Sequence, residues 1–255
     1  MLHQFSRNEL AIGKTGLDAL ASKSVAILGI GGVGSFSAEA LARSGVGRLI
    51  LVDKDDIDIT NVNRQIHALL PTVGQPKVDA MAERLALINP DLEIVRLKMF
   101  YNEETFESFF EQQPDYVIDA SDTVSFKIHL IQECKKRNIP IISSMGMANK
   151  MDPTRIKIVD IKDTSYDPLA KVIRTKLRKA GIHKGVPVVF SDEPPVKIIE
   201  EVRQVVGNDA AAIRKAKMPP SSNAFVPSVA GLVAAGYVIN DLLEQAGVEI
   251  NRIQK

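Results

Sequence analysis

Apolar residues in the first 150 positions form short continuous runs, and stretches with helical spacing separate these runs. A short continuous apolar run is typical of a strand that is buried on both faces of a parallel sheet. Strands are predicted at 24–30, 48–53, 116–120 and 140–144, and an alternating pattern predicts another at 92–99. Helices are predicted at 35–44, 77–88, 103–112 and 126–137. This alternation predicts an α/β fold with a doubly wound, mostly parallel sheet and helices on both faces.

The pattern changes after about residue 150. Strands are predicted at 155–161 and 186–191, a basic helix at 168–180, a turn at 192–195 and a final helix at 226–245. Residues 196–222 are charged and then rich in Pro and Ser, so we expect this segment to be partly mobile. The length of 255 residues allows one large domain or two small ones. We interpret residues 1–255 as a single domain, with a core at 1–150 and a C-terminal extension at 151–255.

Composition and charge exclude several classes of protein. The net charge of +1 does not favour DNA binding by the whole molecule, so any affinity for RNA must come from a local basic patch. Cys134 is the only cysteine, which excludes a disulfide within the chain and fits a reducing cytoplasm. The N-terminus lacks the apolar segment of a signal peptide. Residues 224–243 are apolar but rich in Ala and Gly, which favours a buried or interface helix over stable membrane insertion.

A glycine-rich turn follows the first predicted strand and opens the first predicted helix. Its glycines are Gly29, Gly31, Gly32 and Gly34. Small residues let the backbone approach phosphates, and the helix N-terminus supplies amide donors and a positive dipole. Asp53 ends the second predicted strand, where an acid binds ribose hydroxyls in Rossmann-like folds. The motif therefore predicts a nucleotide site on a Rossmann-like sheet, and an NAD dehydrogenase remains an alternative.

A second set of polar residues argues against NAD. The planar guanidinium of Arg64 and the compact ammonium of Lys77 can both neutralise phosphate charge. Asp122 can hold Mg²⁺ through its one carboxylate, with waters as the other ligands. Nucleotidyl transfer needs such charges, because pyrophosphate must leave as a stabilised anion, whereas hydride transfer does not. Further nucleotide-binding candidates in the same stretch are Asp55, Asn61 and Gln65. The set indicates catalysis by Arg64, Lys77 and Asp122, with Asp122 as the metal ligand.

In the order and spacing of these residues, positions 4–150 resemble the ubiquitin-activating enzymes and their bacterial relatives, which adenylate the C-terminus of sulfur-carrier proteins. The resemblance implies that the glycine loop binds phosphates, that Asp53 binds ribose, and that Asp122 binds magnesium. It also implies a homodimer, in which Arg7 reaches the catalytic site of the neighbouring subunit. The sulfur-carrier activators usually carry two CxxC pairs that bind zinc, and one cysteine cannot form that module.

The C-terminal half resembles the tRNA threonylcarbamoyladenosine dehydratases. The resemblance rests on Asp167-Pro168-Leu169-Ala170, on 188–193 and on 223–231. These enzymes use ATP to adenylate the threonyl carboxylate of a modified adenosine in tRNA, and a carbamoyl nitrogen then closes the ring, so no enzyme thiol is needed. The resemblance implies ATP, Mg²⁺ and tRNA. Some members also bind a monovalent cation, K⁺ or Na⁺, and some act beside a cysteine desulfurase and sulfur-acceptor system.

Residues 171–184 carry six basic side chains and no acid. The RNA-binding candidates are Lys171, Arg174, Lys176, Arg178 and Lys179. Phosphate contacts by such a set would make binding strongly salt-dependent, although a solvated amphipathic helix explains the pattern equally well.

The sequence leaves the roles of His67, Tyr166 and Phe225 open. His67 is either a proton shuttle or a structural residue. Tyr166 and Phe225 are both candidates for stacking on the substrate base, and the sequence selects neither.

Three rival functions stay open at this point. An adenylyltransferase for a sulfur-carrier protein would need a small Gly-Gly-ended protein as its substrate. A binding module that keeps ATP as a structural ligand would not release AMP. A dehydrogenase would transfer hydride to NAD.

Overall fold

The computed structural model describes residues 2–202 and 220–250, and seven strands form one sheet in the order β3-β2-β1-β4-β5-β7-β6. The strands are β1 (Ser24–Leu28), β2 (Arg48–Val52), β3 (Glu93–Leu97), β4 (Tyr116–Asp119), β5 (Ile141–Ser144), β6 (Ile156–Asp160) and β7 (Pro187–Ser191). Neighbouring strands are parallel, except for the antiparallel pair of β6 and β7. The chain order reverses between β1 and β4, and such a point forms a ligand crevice at the carboxyl ends of the strands.

Seven α-helices cover the two faces of this sheet within the described ranges. They are α1 (Ser6–Ala21), α2 (Gly34–Ser44), α3 (Lys77–Ala86), α4 (Phe106–Phe110), α5 (Val124–Arg137), α6 (Pro168–Lys179) and α7 (Val226–Gln245). The strands and helices predicted from the sequence are all present, so the predicted α/β fold is confirmed. Helix α1 was not predicted. Only Gly16 and Leu20 of α1 are buried, and Gly13 kinks it with a φ of 67°, so its sequence carries little helical periodicity.

Apolar side chains from alternate strand positions fill two cores, one on each face of the sheet. Val25 and Ile27 of β1 point to one core, which α2, α3 and α7 cover, while Ala26 and Leu28 point to the other, under α5 and α6. Because both faces are buried, central strands such as β1 and β4 consist mainly of apolar residues, whereas the edge strands β3 and β6 are only partly buried and include charged residues.

Helix α7 packs tightly on α2. A Cβ added to Gly231 would lie 2.3 Å from the carbonyl oxygen of Val33, and Ser37 Oγ donates a hydrogen bond to Gly231 O at 2.9 Å. Within the described residues, α7 is the one helix that is long and apolar enough to cross a membrane, but 56% of its most apolar window is buried inside the protein. This placement agrees with the prediction of a buried helix at 226–245.

Part of the C-terminal extension lies outside the described residues. The segment predicted to be partly mobile, 196–222, includes the undescribed residues 203–219, and these contain the basic cluster of Arg214, Lys215 and Lys217. The extension nevertheless contributes β6, β7, α6 and α7 to the same sheet and cores as residues 1–150.

Candidate active site

The glycine-rich loop joins β1 to α2 at the reversal point of the sheet. Gly29 has a φ of +91°, and a Cβ there would lie 2.8 Å from the carbonyl oxygen of Ala120. A Cβ on Gly34 would lie 1.8 Å from the carbonyl oxygen of Gly29. Both positions therefore require glycine, because the loop folds back on itself and against the segment that follows β4.

The loop leaves space for an anion at its outer side. A Cβ on Gly31 would meet no atom within 4 Å, and α2 begins at Gly34 without a side-chain cap. Uncapped amide groups and the positive end of the helix dipole favour a phosphate at this position. The geometry of the loop thus fits the phosphates of a nucleotide, as predicted for its glycines.

Asp53 fixes the loop to the end of β2. Its carboxylate accepts hydrogen bonds from Ile30 N (2.7 Å) and Asp55 N (2.9 Å). Burial raises the pKa of Asp53, and the nearby Lys77 ammonium opposes that shift. Lys77 Nζ lies 3.8 Å from Asp53 Oδ1 and donates to Asp55 Oδ2 at 3.1 Å. The structure therefore brings together Asp53, Asp55 and Lys77 beside the loop.

Arg64 lies on the other side of the loop. Its Nη1 donates to Thr60 O (2.6 Å) and to Asn63 Oδ1 (2.9 Å). Its Cγ lies 3.5 Å from the position that a Cβ on Gly32 would take, and partial burial lowers the pKa of the guanidinium. Asn61 is buried nearby, and its Oδ1 accepts a hydrogen bond from Asp58 N at 3.1 Å.

Two buried polar side chains follow Arg64. Gln65 Oε1 and both ring nitrogens of His67 have no hydrogen-bond partner in the described part of the chain. Burial, together with the nearby charges of Lys77 and Arg84, lowers the pKa of His67 to about 4. A neutral ring that is only 2% exposed cannot exchange protons with solvent, so the structure favours the structural role for His67.

Asp122 is exposed just beyond the carboxyl end of β4, where Thr123 Oγ1 donates to its Oδ1 at 3.2 Å. No group of three or more His, Cys, Asp or Glu side chains that would hold a metal occurs in residues 2–202 or 220–250. One carboxylate is nevertheless enough for a magnesium ion that arrives on nucleotide phosphates and keeps several waters. The site thus fits Mg²⁺ that is shared with a nucleotide rather than an ion held by protein ligands alone.

A buried ion pair that was not predicted from the sequence lies at the end of β4, three residues before Asp122. The pair joins Lys127 Nζ of α5 to Asp119 Oδ2 of β4 at 3.0 Å, and both side chains are fully buried. Ser143 Oγ of β5 donates to the same Asp119 oxygen at 2.6 Å. The other oxygen accepts from Ser121 N (3.1 Å) and Ser121 Oγ (2.7 Å), so Asp119 holds the turn that leads to Asp122. A lysine on the inner face of a predicted helix was the only signal for this cluster.

The C-terminal extension closes one side of the site. Asn63 Nδ2 donates to Ser222 O at 3.0 Å, and Asn223 Nδ2 donates to Lys150 O at 2.7 Å. A Cβ on Gly32 would lie 3.1 Å from Pro227 Cβ of α7. The start of α7 and the segment before it therefore border the loop and the turn that carries Arg64.

The basic residues of α6 divide into two groups. Four of them are exposed: Lys171, Lys176, Arg178 and Lys179. Arg174 is partly buried and donates to the carbonyl and hydroxyl oxygens of Thr164, at 2.8 Å for the carbonyl. Arg174 therefore has a structural role in this helix, whatever else it contacts.

The predicted residue Arg7 and the single cysteine, Cys134, lie away from this edge of the sheet. Arg7 is exposed on the first turn of α1, and its guanidinium has no hydrogen bond or ion pair with the described residues. Cys134 is fully buried near the end of α5, and burial raises the pKa of its thiol well above the usual range. A thiol that is buried and protonated is not a nucleophile.

Comparison with known proteins gives a consistent result. The ThiF family matches residues 5–252. The chain is 69% identical over 254 residues to the tRNA threonylcarbamoyladenosine dehydratase of Bacillus subtilis, covering 100% of this chain and 99% of that protein. The solved structure of the Escherichia coli tRNA N6-threonylcarbamoyladenosine dehydratase in complex with ATP superposes with a TM-score of 0.85 and 33% identity, covering 96% and 95% of the two chains. The molybdopterin-synthase adenylyltransferase of Escherichia coli is 33% identical over 137 residues, or 54% of each chain.

Proposed function

Because the chain belongs to the ThiF family, we propose that it is an ATP-dependent enzyme that dehydrates threonylcarbamoyladenosine in tRNA to its cyclic form. The observation that carries this proposal is the match at 69% identity over the whole chain, the C-terminal extension included. The relative that adenylates a molybdopterin synthase matches only about half of the chain. The match to the Bacillus subtilis enzyme, by contrast, includes the extension that carries α6 and α7.

The proposed reaction has two steps. An oxygen of the threonyl carboxylate forms a bond to the α-phosphorus of ATP, and pyrophosphate leaves with the electrons of the broken bond. A carbamoyl nitrogen of the same substrate then attacks the activated acyl carbon, loses its proton and expels AMP. The carboxylate oxygen departs on AMP, so the nucleoside loses the elements of water. Attack within one molecule has a large entropic advantage, and no covalent intermediate on the enzyme is needed.

The residues around the glycine loop have distinct proposed roles. The amides of the loop and of the start of α2 bind phosphates, and Asp53 accepts from the ribose hydroxyls while it holds Ile30 N. Arg64 and Lys77 stabilise the charge that develops on the departing pyrophosphate. Asn61, Gln65 and Asp55 complete the nucleotide site, in which Asp55 orients Lys77.

Asp122 is the proposed ligand for Mg²⁺, which would neutralise phosphate charge when it is bound. The exposed carboxylate on a turn held by Asp119 suits this role, because magnesium needs only one or two protein carboxylates beside phosphates and waters. A monovalent cation, K⁺ or Na⁺, stays a proposal that rests on the family resemblance alone.

The buried cysteine supports this chemistry over sulfur-carrier activation that proceeds through an enzyme thioester. Cys134 is the only thiol, it is fully buried, and its raised pKa keeps it protonated. An adenylate that reacts within its own substrate does not need a thiol. Adenylation of a protein C-terminus without a thioester is the second candidate, and the match to an adenylyltransferase over 137 residues favours it.

Several partners complete the proposal. The exposed basic residues of α6 form a surface for the tRNA backbone, with Arg174 contributing mainly to the fold. A homodimer brings Arg7 of one subunit to the site of the other. The tRNA substrate and the single reduced cysteine are consistent with a cytoplasmic enzyme. A cysteine desulfurase and sulfur-acceptor system is a proposed functional neighbour.

The decisive experiment is AMP formation from ATP by the purified protein with two matched tRNAs, one bearing threonylcarbamoyladenosine and one bearing unmodified adenosine. We expect AMP only with the modified tRNA, together with loss of one water mass from the nucleoside. A preparation that binds ATP but makes no AMP with the modified tRNA contradicts the proposal. AMP formation that depends instead on a small Gly-Gly-ended protein would establish the second candidate.

A further inference from the structure

Tyr166 has an unusual backbone conformation for its residue type. Four non-glycine residues in the described ranges have positive φ, namely Gln113, Asn138, Asn149 and Tyr166. Asparagine tolerates this left-handed region, because its short side chain bonds locally, whereas a bulky residue is strained there. Tyr166 has a φ of 54° and is the one aromatic residue of the four. Such strain persists where the rest of the structure imposes it, and it often marks a functional position.

Packing does not explain why a tyrosine occupies this position. The Tyr166 side chain is 77% exposed, so its ring gains little from burial. It makes no aromatic or cation contact with the other described residues. An exposed aromatic ring that packs on nothing in its own chain is available to stack on a flat partner.

The position of Tyr166 follows from its neighbour, Asp167. Asp167 Oδ2 accepts a hydrogen bond from Gly146 N at 3.1 Å, and Oδ1 caps α6 by accepting from Leu169 N and Ala170 N. Gly146 comes three residues after Ser143 of β5, and Ser143 pairs with Asp119 of β4.

Asp122 likewise comes three residues after Asp119, the residue of β4 that pairs with Ser143. Because β4 and β5 are parallel neighbours, their carboxyl ends share one edge of the sheet. Tyr166 is therefore anchored at the same edge as Asp122, one strand further from the glycine loop.

The charge beside Tyr166 favours a nucleic acid as the partner of its ring. Helix α6 starts two residues later and presents Lys171, Lys176, Arg178 and Lys179 to solvent. Backbone contacts by basic residues, combined with an aromatic ring that stacks on a base, are the usual means of binding single-stranded RNA. The four exposed cations and one exposed aromatic ring supply both parts.

We propose that Tyr166 is a stacking residue for a nucleobase in the tRNA loop that enters the site, an inference that rests on the proposed dehydratase function. The reacting carboxylate is joined to the adenine through the short threonylcarbamoyl group. When that carboxylate lies at Asp122, the base and its sequence neighbours therefore lie along the same edge of the sheet. The exposed ring of Tyr166 is at this edge, directly before the helix that carries the exposed basic residues. Its role is to bind and orient the loop, not to take part in bond making.

Steady-state kinetics of three variants test this assignment. In Tyr166→Asn, we expect the KM for modified tRNA to rise about tenfold or more, from loss of one stacked base, while the KM for ATP is unchanged. The thermal midpoint should equal or exceed that of the wild type, because asparagine fits the left-handed backbone better. Tyr166→Phe should keep the wild-type KM, since stacking needs the ring and not the hydroxyl. Gln113→Asn is the matched control, because Gln113 shares the positive φ but precedes the opposite, amino end of β4.

A binding measurement is independent of turnover. The chain contains no tryptophan, so Tyr166→Trp introduces a single fluorophore at this position. We expect quenching when an anticodon stem-loop RNA is added, and no change in the equivalent Gln113→Trp protein.

The outcomes separate the two proposals. If wild-type protein turns over modified tRNA but Tyr166→Asn keeps its tRNA KM and Tyr166→Trp is not quenched, stacking by Tyr166 is refuted and the dehydratase function stands. If wild-type protein makes no AMP with modified tRNA and the tryptophan is not quenched, both proposals fail.

Discussion

Single residues at the carboxyl edge of the sheet carry the proposed chemistry, and Asp122 is the simplest to test. Its carboxylate is exposed and bonds only to the neighbouring Thr123 hydroxyl among the contacts described above, so it contributes little to folding. We predict that Asp122→Asn lowers kcat for AMP formation at least about a hundredfold, by analogy with the loss of other groups that stabilise transition-state charge.

The thermal midpoint of Asp122→Asn should stay within error of the wild type. Glu111→Gln, which removes an exposed carboxylate before the opposite, amino end of β4, is the control and should keep full activity. Near-normal turnover by Asp122→Asn would remove Asp122 from the proposed mechanism.

His67 makes stability depend on pH. Its pKa is about 4 in the folded protein and 6.5 as an ordinary side chain, so below pH 6.5 the unfolded chain takes up a proton that the folded chain excludes. The contribution is therefore fully present above pH 6.5 and is lost as the pH falls towards 4, by up to about 1.4 kcal/mol per pH unit.

Urea unfolding at several pH values measures this contribution. We predict that His67→Leu has a shallower fall in unfolding free energy between pH 6.5 and 4 than the wild type. His183→Leu, which removes an exposed histidine, should keep the wild-type slope. Parallel curves for wild type and His67→Leu would show that His67 is not buried in neutral form.

Sequence reasoning selected candidate nucleotide-binding residues more readily than the residues that hold them in place. Glycines at a strand end and an acid such as Asp53 have fixed positions along the chain, so spacing alone identifies them. The ion pair of Lys127 and Asp119 is different, because it depends on which helix packs on which strand. Tyr166 is a third case, because only the structure shows its positive φ and its exposure of 77%, against 40% for Phe225.

At the scale of elements, β4, β5 and α5 meet at the buried pair of Asp119 and Lys127. Removing one partner leaves an uncompensated charge in the interior, so we predict that Lys127→Met lowers the unfolding free energy by about 3–5 kcal/mol. Urea unfolding measures this loss. Lys136→Met removes an exposed lysine from the same helix and should cost less than about 1 kcal/mol. A loss below that level for Lys127→Met would contradict the buried pair.

The turn that carries Arg64 is joined to the extension by one side chain. Asn63 accepts from Arg64 Nη1 and donates to Ser222 O, so it links the guanidinium to the extension. We predict that Asn63→Ala raises the KM for ATP about three- to tenfold, because a typical hydrogen bond to a charged group contributes this much or more. Asn63→Asp keeps the acceptor for Arg64 but loses the donor, so its KM should rise less.

Asn240→Ala is the control for this experiment, because the Asn240 amide bonds only within α7, to Gly236 O. An ATP KM that stays at the wild-type value in both Asn63 variants would mean that the link to Ser222 has no role in nucleotide binding.

Elements themselves were largely predictable, because both faces of the sheet are buried and the strands are continuous apolar runs. Predicted ends differ from the observed ends by a few residues, as for β1, which stops at Leu28 rather than at 30. Helix α1 escaped prediction because few of its side chains are buried. The antiparallel pairing of β6 with β7 was also beyond the sequence, since pairing direction depends on how the chain returns after α6.

At the scale of the whole molecule, one sheet contains strands from both the core (1–150) and the C-terminal extension (151–255), because β7 pairs with β5. We therefore propose that residues 1–255 form one domain.

The proposed homodimer can be tested by mixing two inactive variants of the protein. If Arg7 acts in the neighbouring subunit, Arg7→Ala and Asp122→Asn proteins are each inactive alone. Subunit exchange between them creates hybrid dimers with one intact site, so an equal mixture should recover about one quarter of wild-type activity. AMP formation before and after exchange measures this recovery. No recovery, with hybrid dimers demonstrated by mass, would place Arg7 in its own subunit's site.

The contact of α7 with the glycine loop also has a consequence for how the protein is made. The loop residues leave the ribosome well before Pro227 and α7, which border the loop at Gly32 and pack on α2. A nascent chain that ends before residue 226 contains every glycine of the phosphate motif but lacks α7, which borders the glycine-rich loop. We therefore expect the proposed nucleotide site to be complete only after α7 has been translated, and a chain that lacks α7 to bind ATP less tightly.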